Sequence, residues 1–302
     1  MKKCSIALLI SVCLILLAGL AVSADNTVYT SNTMAYIDNE AIPQYVYNGE
    51  SYIVAEDLQG YGFDISWNGK TEILDIYYNP FKTWTPYNFD DIEPTFVREK
   101  MSTVVSSNTR VRLDGDYVNA YSLDGRMLIS MTDLWRYGKV NYYPVSDSIS
   151  FTSNIFMEYN PDWQTLLPAY ELNESIRYAR NSIGQVTNAI DDTFGGKLYY
   201  ENDILYINQG NINRAKSVQA FLQERLYHLN QNPNFYYKGD FVNYINSALS
   251  EANKLVSNIN RIHGYTVASH NWARNLPDIN LDDCDSRYDN LDAVITPYIT
   301  TW

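Results

Sequence analysis

The residues best spaced for chemistry lie near the C-terminus, where Asp278, Asn280, Asp282, Ser286 and Asp289 match positions 1, 3, 5, 9 and 12 of a calcium-binding loop. Oxygen ligands at that spacing wrap a hard cation when glycine at the sixth position lets the chain turn and a bidentate Glu closes the shell. Here the sixth position is Asp283 and the last ligand is Asp. The stretch therefore reads as a solvated acidic turn, with Asp278, Asn280, Asp282 and Asp289 as the one weak calcium candidate. Other reactive groups are sparse. His228, His263 and His270 include no His-x-His pair, and the chain has no His-Glu-x-x-His, Gly-x-Ser-x-Gly or phosphate loop. His228 reads as a residue bordering a helical core, and His263 as a cation at a helix C-terminus. Asp191-Asp192 stands at a helix end that disfavours acids, and Cys284 lies among acids that disfavour its thiolate. No catalytic residue and no cofactor is expected.

The elements around these residues begin with a leader. Lys2-Lys3 precede an apolar run from Ile6 to Val22, and Val22-Ser23-Ala24 supplies small residues for cleavage, so residues 1–24 read as a signal peptide. Retention as an anchor is the alternative. Cys4 and Cys13 would leave with the leader, and Cys284 alone cannot close an internal disulfide. The formal net charge of −13 argues against nucleic acid or an anionic membrane surface as partner. With 27 tyrosines, the chain is rich in a residue suited to half-buried sheet surfaces, which is the expected use here, and also to stacking on sugars.

The first half repeats itself at an offset of 76. Ile37-Asp38, Tyr45, Gly49, Ile53, Asp57-Leu58 and Tyr61-Gly62 recur as Leu113-Asp114, Tyr121, Gly125, Ile129, Asp133-Leu134 and Tyr137-Gly138. Turn signals at Asp38-Asn39, Asn48-Gly49, Asp114-Gly115 and Asp124-Gly125 divide short strands. Each copy then enters a short helix, closed by Gly62 or Gly138 in a left-handed conformation, and ends in two strands. Asp57 and Asp133 are expected to cap those helices, and Trp67 and Trp135 to pack. The connector 79–107 holds Pro80, Pro86 and Pro94 among aromatic residues, and is expected to pack on the modules.

This pattern of strand pair, Asp-Leu on a short helix, Tyr-Gly and two closing strands resembles the copper amine oxidase-like N-terminal, or stalk, domain, carried in tandem by exported bacterial proteins. The resemblance covers residues 30–78 and 108–155 and implies a non-catalytic module. Oxidase chemistry belongs to another domain, whose Asn-Tyr-Asp/Glu-Tyr cofactor motif is missing here. Neither copper nor amine oxidation is expected.

From Leu172 the spacing becomes helical. Leu172, Ile176, Ala179, Ile183, Val186 and Ile190 form one seam; Ile212, Ala215, Val218, Leu222, Leu226 and Leu229 a second; Phe241, Ile245, Ala248, Ala252, Leu255, Ile259 and Ile262 a third. Residues 161–264 are thus expected to form a helical domain, with a brief extended pair within Tyr199 to Ile207, followed by an acidic C-terminal segment, 265–302. The fold class expected is α+β: two small antiparallel sheet-plus-one-helix modules in tandem, followed by an antiparallel α-helical bundle. The function expected is an exported, non-enzymatic protein, secreted or associated with the cell envelope. Its modules would serve as a recognition or spacer scaffold for a cell-wall polymer or envelope protein, and its helices would serve assembly. Two alternatives stay open: a cell-wall-acting hydrolase with a divergent C-terminal catalytic domain, and a helical oligomerisation protein.

Overall fold

A computed structural model describes residues 26–87, 92, 100–192, 199–201, 204–263 and 276–299. The leader 1–24, much of the connector, Gly195-Gly196 and His270 lie outside the described residues. The chain is mixed α+β, with several small sheets followed by a helical C-terminal region. The strands are β1 (Thr27–Tyr29), β2 (Met34–Ile37), β3 (Glu40–Ile42), β4 (Gln44–Tyr47), β5 (Glu50–Val54), β6 (Phe63–Asn68) and β7 (Ile73–Tyr78). After them come β8 (Lys100–Thr103), β9 (Arg110–Leu113), β10 (Asp116–Val118), β11 (Ala120–Leu123), β12 (Arg126–Ser130), β13 (Gly138–Tyr143) and β14 (Ser148–Ser153). The four predicted turns form, each with positive φ at both central residues, as a type I′ hairpin requires.

The expectation of one separate antiparallel sheet per copy gives way to sheets that the copies share. Hairpin β6–β7 of the first copy joins β9–β10 of the second in the order β10-β9-β7-β6, with β7 and β9 parallel. The reciprocal sheet, β13-β14-β2-β3, joins the remaining hairpins, with β14 and β2 parallel. The third sheet, β11-β12-β5-β4-β1-β8, brings the middle hairpins together, and its β12–β5 register sets Ile129 opposite its own counterpart Ile53. That pairing places a pseudo-twofold axis between the copies. A parallel pair needs a crossover of at least about a dozen residues, and the segment between β7 and β9 supplies it.

The reason for the exchange is burial. An isolated hairpin is marginal in water, whereas here Ile37, Ile53, Leu58, Phe63 and Ile76 share one core with Leu113, Ile129, Leu134 and Phe151. Outside the middle sheet, Tyr47, Tyr52 and Tyr121 meet edge-on with ring centroids 4.7–5.8 Å apart. Part of the tyrosine excess is thus sheet packing. The connector packs as expected in its described part: Trp84 lies against Tyr61, and Thr85 N donates to Gly60 O at 2.9 Å.

The short helices are 3-10 turns, Ala55–Gly60 and Met131–Arg136. Gly62 has the expected positive φ of 80°, but Gly138 does not. Gly138 instead opens β13, where a Cβ would stand 2.0 Å from the Thr152 carbonyl oxygen, so close backbone approach excludes a side chain.

The helices are α1 (Asn154–Tyr159), α2 (Trp163–Asp192), α3 (Gln209–Gln231), α4 (Lys238–Ile262) and α5 (Asp282–Ile295), with a small hairpin β15 (Tyr199–Glu201) and β16 (Ile204–Tyr206) before α3. The three predicted seams lie in one core, with Leu226 packed at its edge. α5 was not foreseen as a helix, and it adds Cys284, Leu291 and Ile295 to that core. The same core contains Met34, Tyr36 and Ala41 from the outer face of the β13-β14-β2-β3 sheet. Among the described residues, no helix is long and apolar enough to cross a membrane.

Candidate functional site

The pseudo-twofold makes two sheet faces equivalent residue by residue. On the β10-β9-β7-β6 sheet, Ile73 pairs with Arg110, Asp75 with Arg112, and Arg112 in turn with Tyr117. On the reciprocal sheet the corresponding pairs are Ser148 with Met34, Ser150 with Tyr36, and Tyr36 with Ala41. Among the described residues only the second face is covered.

On the covered face the sequence alternates so that β14 sends Ser148, Ser150 and Thr152 outward, all buried. Ser148 Oγ and Ser150 Oγ donate to the two carboxyl oxygens of Glu171 on α2, and Ser146 Oγ lies 2.6 Å from Ser148 Oγ. Glu171 is fully buried, and that burial raises its pKa to about 7, although the serine hydrogen bonds pull the other way. One turn further along α2, Glu174 accepts from Arg177 Nη2 and from the Tyr288 hydroxyl, each at 2.8 Å. Burial raises Glu174 as well. At the end of the sheet, Asp38 Oδ1 accepts from Ser153 N at 2.6 Å, and burial raises its pKa to about 7. These acids are enclosed where helix meets sheet. Burial makes ionisation of these carboxyls harder, and their hydrogen bonds hold them rigid, an arrangement that joins two layers.

The open face presents Tyr77, Asp75, Arg112 and Tyr117 across three strands. Arg112 forms a bidentate pair with Asp75, Nε to Oδ1 at 2.6 Å and Nη2 to Oδ2 at 2.7 Å. The guanidinium carbons of Arg110 and Arg112 lie 5.1 and 5.9 Å from the centroid of the Tyr117 ring. Cation–π contact at that range holds the ring in place. Tyr117 is nevertheless 54% exposed and Tyr77 45%. Among the described residues Arg110 has no carboxylate partner. The face thus combines oriented aromatic rings, an uncompensated cation, and the hydroxyl and carboxamide side chains of Ser66 and Asn68, whose strand partners are Asp75 and Ile73. It can stack on an apolar ring and hydrogen-bond around its rim.

The residues singled out by sequence are not gathered into one site. Asp282 and Asp289 lie about two turns apart on α5, so the twelve-residue calcium loop is not formed. The stretch is a helix start instead: Asn280 Oδ1 accepts from Asp282 N at 2.8 Å, and Asp282, Asp283 and Asp285 occupy the first turn, where the helix dipole favours acids. Asp278 precedes it in irregular chain. Among the described residues, no group of three or more His, Cys, Asp or Glu could hold a metal ion.

Asp57 does not cap its helix. It pairs with Arg126 of the other copy and accepts from the Tyr87 hydroxyl at 2.8 Å, so it ties the copies together. Its counterpart Asp133 does cap, reaching back to the backbone of Ser130 at the start of its helix; it faces Glu50 where Asp57 faces Arg126, and its pKa is raised, first by burial and also by Glu50. Trp67 and Trp135 are 54% and 66% exposed rather than packed. His263 Nδ1 accepts from Ile207 N at 3.2 Å. His228 lies 3.6 Å from Glu224 on the same helix. Cys284 is buried, which raises its pKa. Sequence reasoning missed Arg110, Arg112, Tyr117 and Glu171. The signal for the first three was present, because the repeat aligns them with apolar Met34, Tyr36 and Ala41 of the other copy. Compared with protein-family models, curated proteins and solved structures, the chain matches none.

Proposed function

We propose that this chain is an exported, non-enzymatic protein of the cell envelope or its surroundings, in which the interlocked repeats form a rigid scaffold that presents the open sheet face to a cell-wall polymer or envelope protein. The observation that carries this reading is the unequal treatment of two equivalent faces. One is sealed by α2, while the other keeps exposed Tyr77 and Tyr117 around an ordered Arg112–Asp75 pair. An exposed aromatic ring held by its neighbours loses little conformational freedom on binding, which is how a recognition surface gains affinity. The leader-like residues 1–24 support export, and the stalk-like repeat supports a scaffold role.

The hydrolase alternative needs paired carboxyls open to a substrate. The two carboxyls raised to about 7, Asp38 and Glu171, are instead enclosed in the core, which favours a structural use. The test is co-sedimentation of the chain, without residues 1–24, with isolated cell-wall polymer and with envelope membranes. The expected outcome is saturable binding to one of these fractions, and absence of binding to every fraction removes the recognition role.

A further inference from the structure

A cavity of about 300 Å³ lies between the start of α4 and the side of α5, lined by Tyr237, Asp240, Arg287, Asn290, Leu291 and Val294. That volume is at the lower end of ligand sites, roughly 300–1,000 Å³. Its lining is divided by chemistry. Leu291 and Val294 form an apolar part, Tyr237 supplies an aromatic ring, and Asp240, Asn290 and Arg287 supply an acceptor, an amide and a donor. Among the described residues the side chains of Asp240 and Asn290 have no hydrogen-bond partner, and Arg287 is bound only through Nε, to Asp283 at 2.9 Å. Polar groups around this cavity therefore keep capacity for a ligand.

Tyr237 carries the second observation. It precedes α4 with φ 51° and ψ 31°, a left-handed conformation, and makes no side-chain cap hydrogen bond. A bulky residue in that region is strained. Glycine or asparagine would hold the same turn at lower cost. The aromatic side chain is thus retained where the backbone does not want it, with its ring edge-on to Tyr236 at 4.4 Å and at the cavity wall.

We propose that this cavity binds one N-acetylated amino-sugar residue of an oligosaccharide. The pyranose ring stacks on Tyr237, the acetamido N–H donates to the Asp240 carboxylate, and the acetamido carbonyl accepts from Asn290 or Arg287. The acetamido methyl packs on Leu291 and Val294. This goes beyond the scaffold reading, because the cavity lies in the helices and needs neither export nor the open sheet face.

The test is calorimetric titration of the full chain with triacetylchitotriose and with cellotriose, which has the same linkage without the acetamido group. The expected result is binding of the acetylated trimer and not of cellotriose. Asp240→Ala should weaken binding about tenfold. Tyr237→Gly should abolish it without lowering the thermal midpoint, because glycine accepts the left-handed backbone. Equal binding of both trimers, no binding of either, or wild-type affinity in Tyr237→Gly overturns the proposal. Should Tyr237→Gly fail to fold, the exposed Asp240→Ala and Asn290→Ala variants decide, and unchanged affinity in both counts against it. Absence of trimer binding by the wild-type chain with its envelope co-sedimentation intact sinks only the cavity, and the reverse sinks only the sheet face.

Discussion

The covered and open faces of the two reciprocal sheets share strand order and register, yet carry opposite chemistry. Where the open face has Asp75 beside Arg112, the covered face has Ser150 beside Tyr36. On the covered face the carboxyl stands on the helix instead, as Glu171, and burial raises its pKa to about 7. The repeat therefore supplies two equivalent surfaces, and their side chains decide which becomes core and which stays open.

The largest effect should come from making the faces alike. Ser150→Asp places a second carboxyl against buried Glu171 and is expected to cost about 4 kcal/mol, read as the urea midpoint with the slope unchanged. The reverse exchange, Asp75→Ser on the open face, should cost less, about 1 kcal/mol, because Arg112 loses its bidentate partner but can still turn to water. If both substitutions act equally, the distinction between the faces is lost.

The pH dependence sharpens the same contrast. The folded pKa values of Asp38 and Glu171 are raised to about 7. Their neutral forms stabilise the fold fully below about pH 4, and that contribution disappears as pH rises through about 7. It amounts to about 3 kcal/mol for Glu171. On the surface, Asp64 and Asp283 have lowered pKa values through side-chain hydrogen bonds, so their contributions are lost at the acid end instead. Urea unfolding should thus show lower stability at pH 8 than at pH 5, and Glu171→Gln should flatten the slope.

Within the repeats, Gly138→Ala should cost about 3 kcal/mol, because its Cβ meets the backbone of β14. Gly62→Ala should cost about 1 kcal/mol through its positive φ. Thermal melts of the two variants give the ranking. The smallest effect concerns the broken symmetry of the ion pairs. Asp57→Ala should cost about 1 kcal/mol by releasing Arg126 and Tyr87, while Glu50→Arg, which gives Asp133 the partner that Asp57 already has, should stabilise by about 0.5 kcal/mol.

Much of the fold was legible because it is local. Asp-Gly and Asn-Gly turns need positive φ wherever they occur, and the seam from Leu172 to Ile190 has helical spacing whatever it packs against. The exchange of hairpins was not legible, since the strand pattern is the same whether β7 pairs within its own copy or with β9. α5 was hidden because Asp282, Asp283 and Asp285, which favour a helix start, also resemble cation ligands. The open face could have been found by asking where the copies differ, since Arg110 and Arg112 replace Met34 and Tyr36. Glu171 could not, because nothing along the chain announces that Ser148 and Ser150 will meet it.

The most direct test of the account is co-sedimentation of the Tyr77→Ala/Tyr117→Ala double variant with the envelope fraction that binds the wild-type chain. Binding should fall at least about tenfold, with a thermal midpoint within a few degrees of wild type, because both side chains lie outside the core. Equal co-sedimentation of variant and wild type would contradict the assignment of that face to recognition.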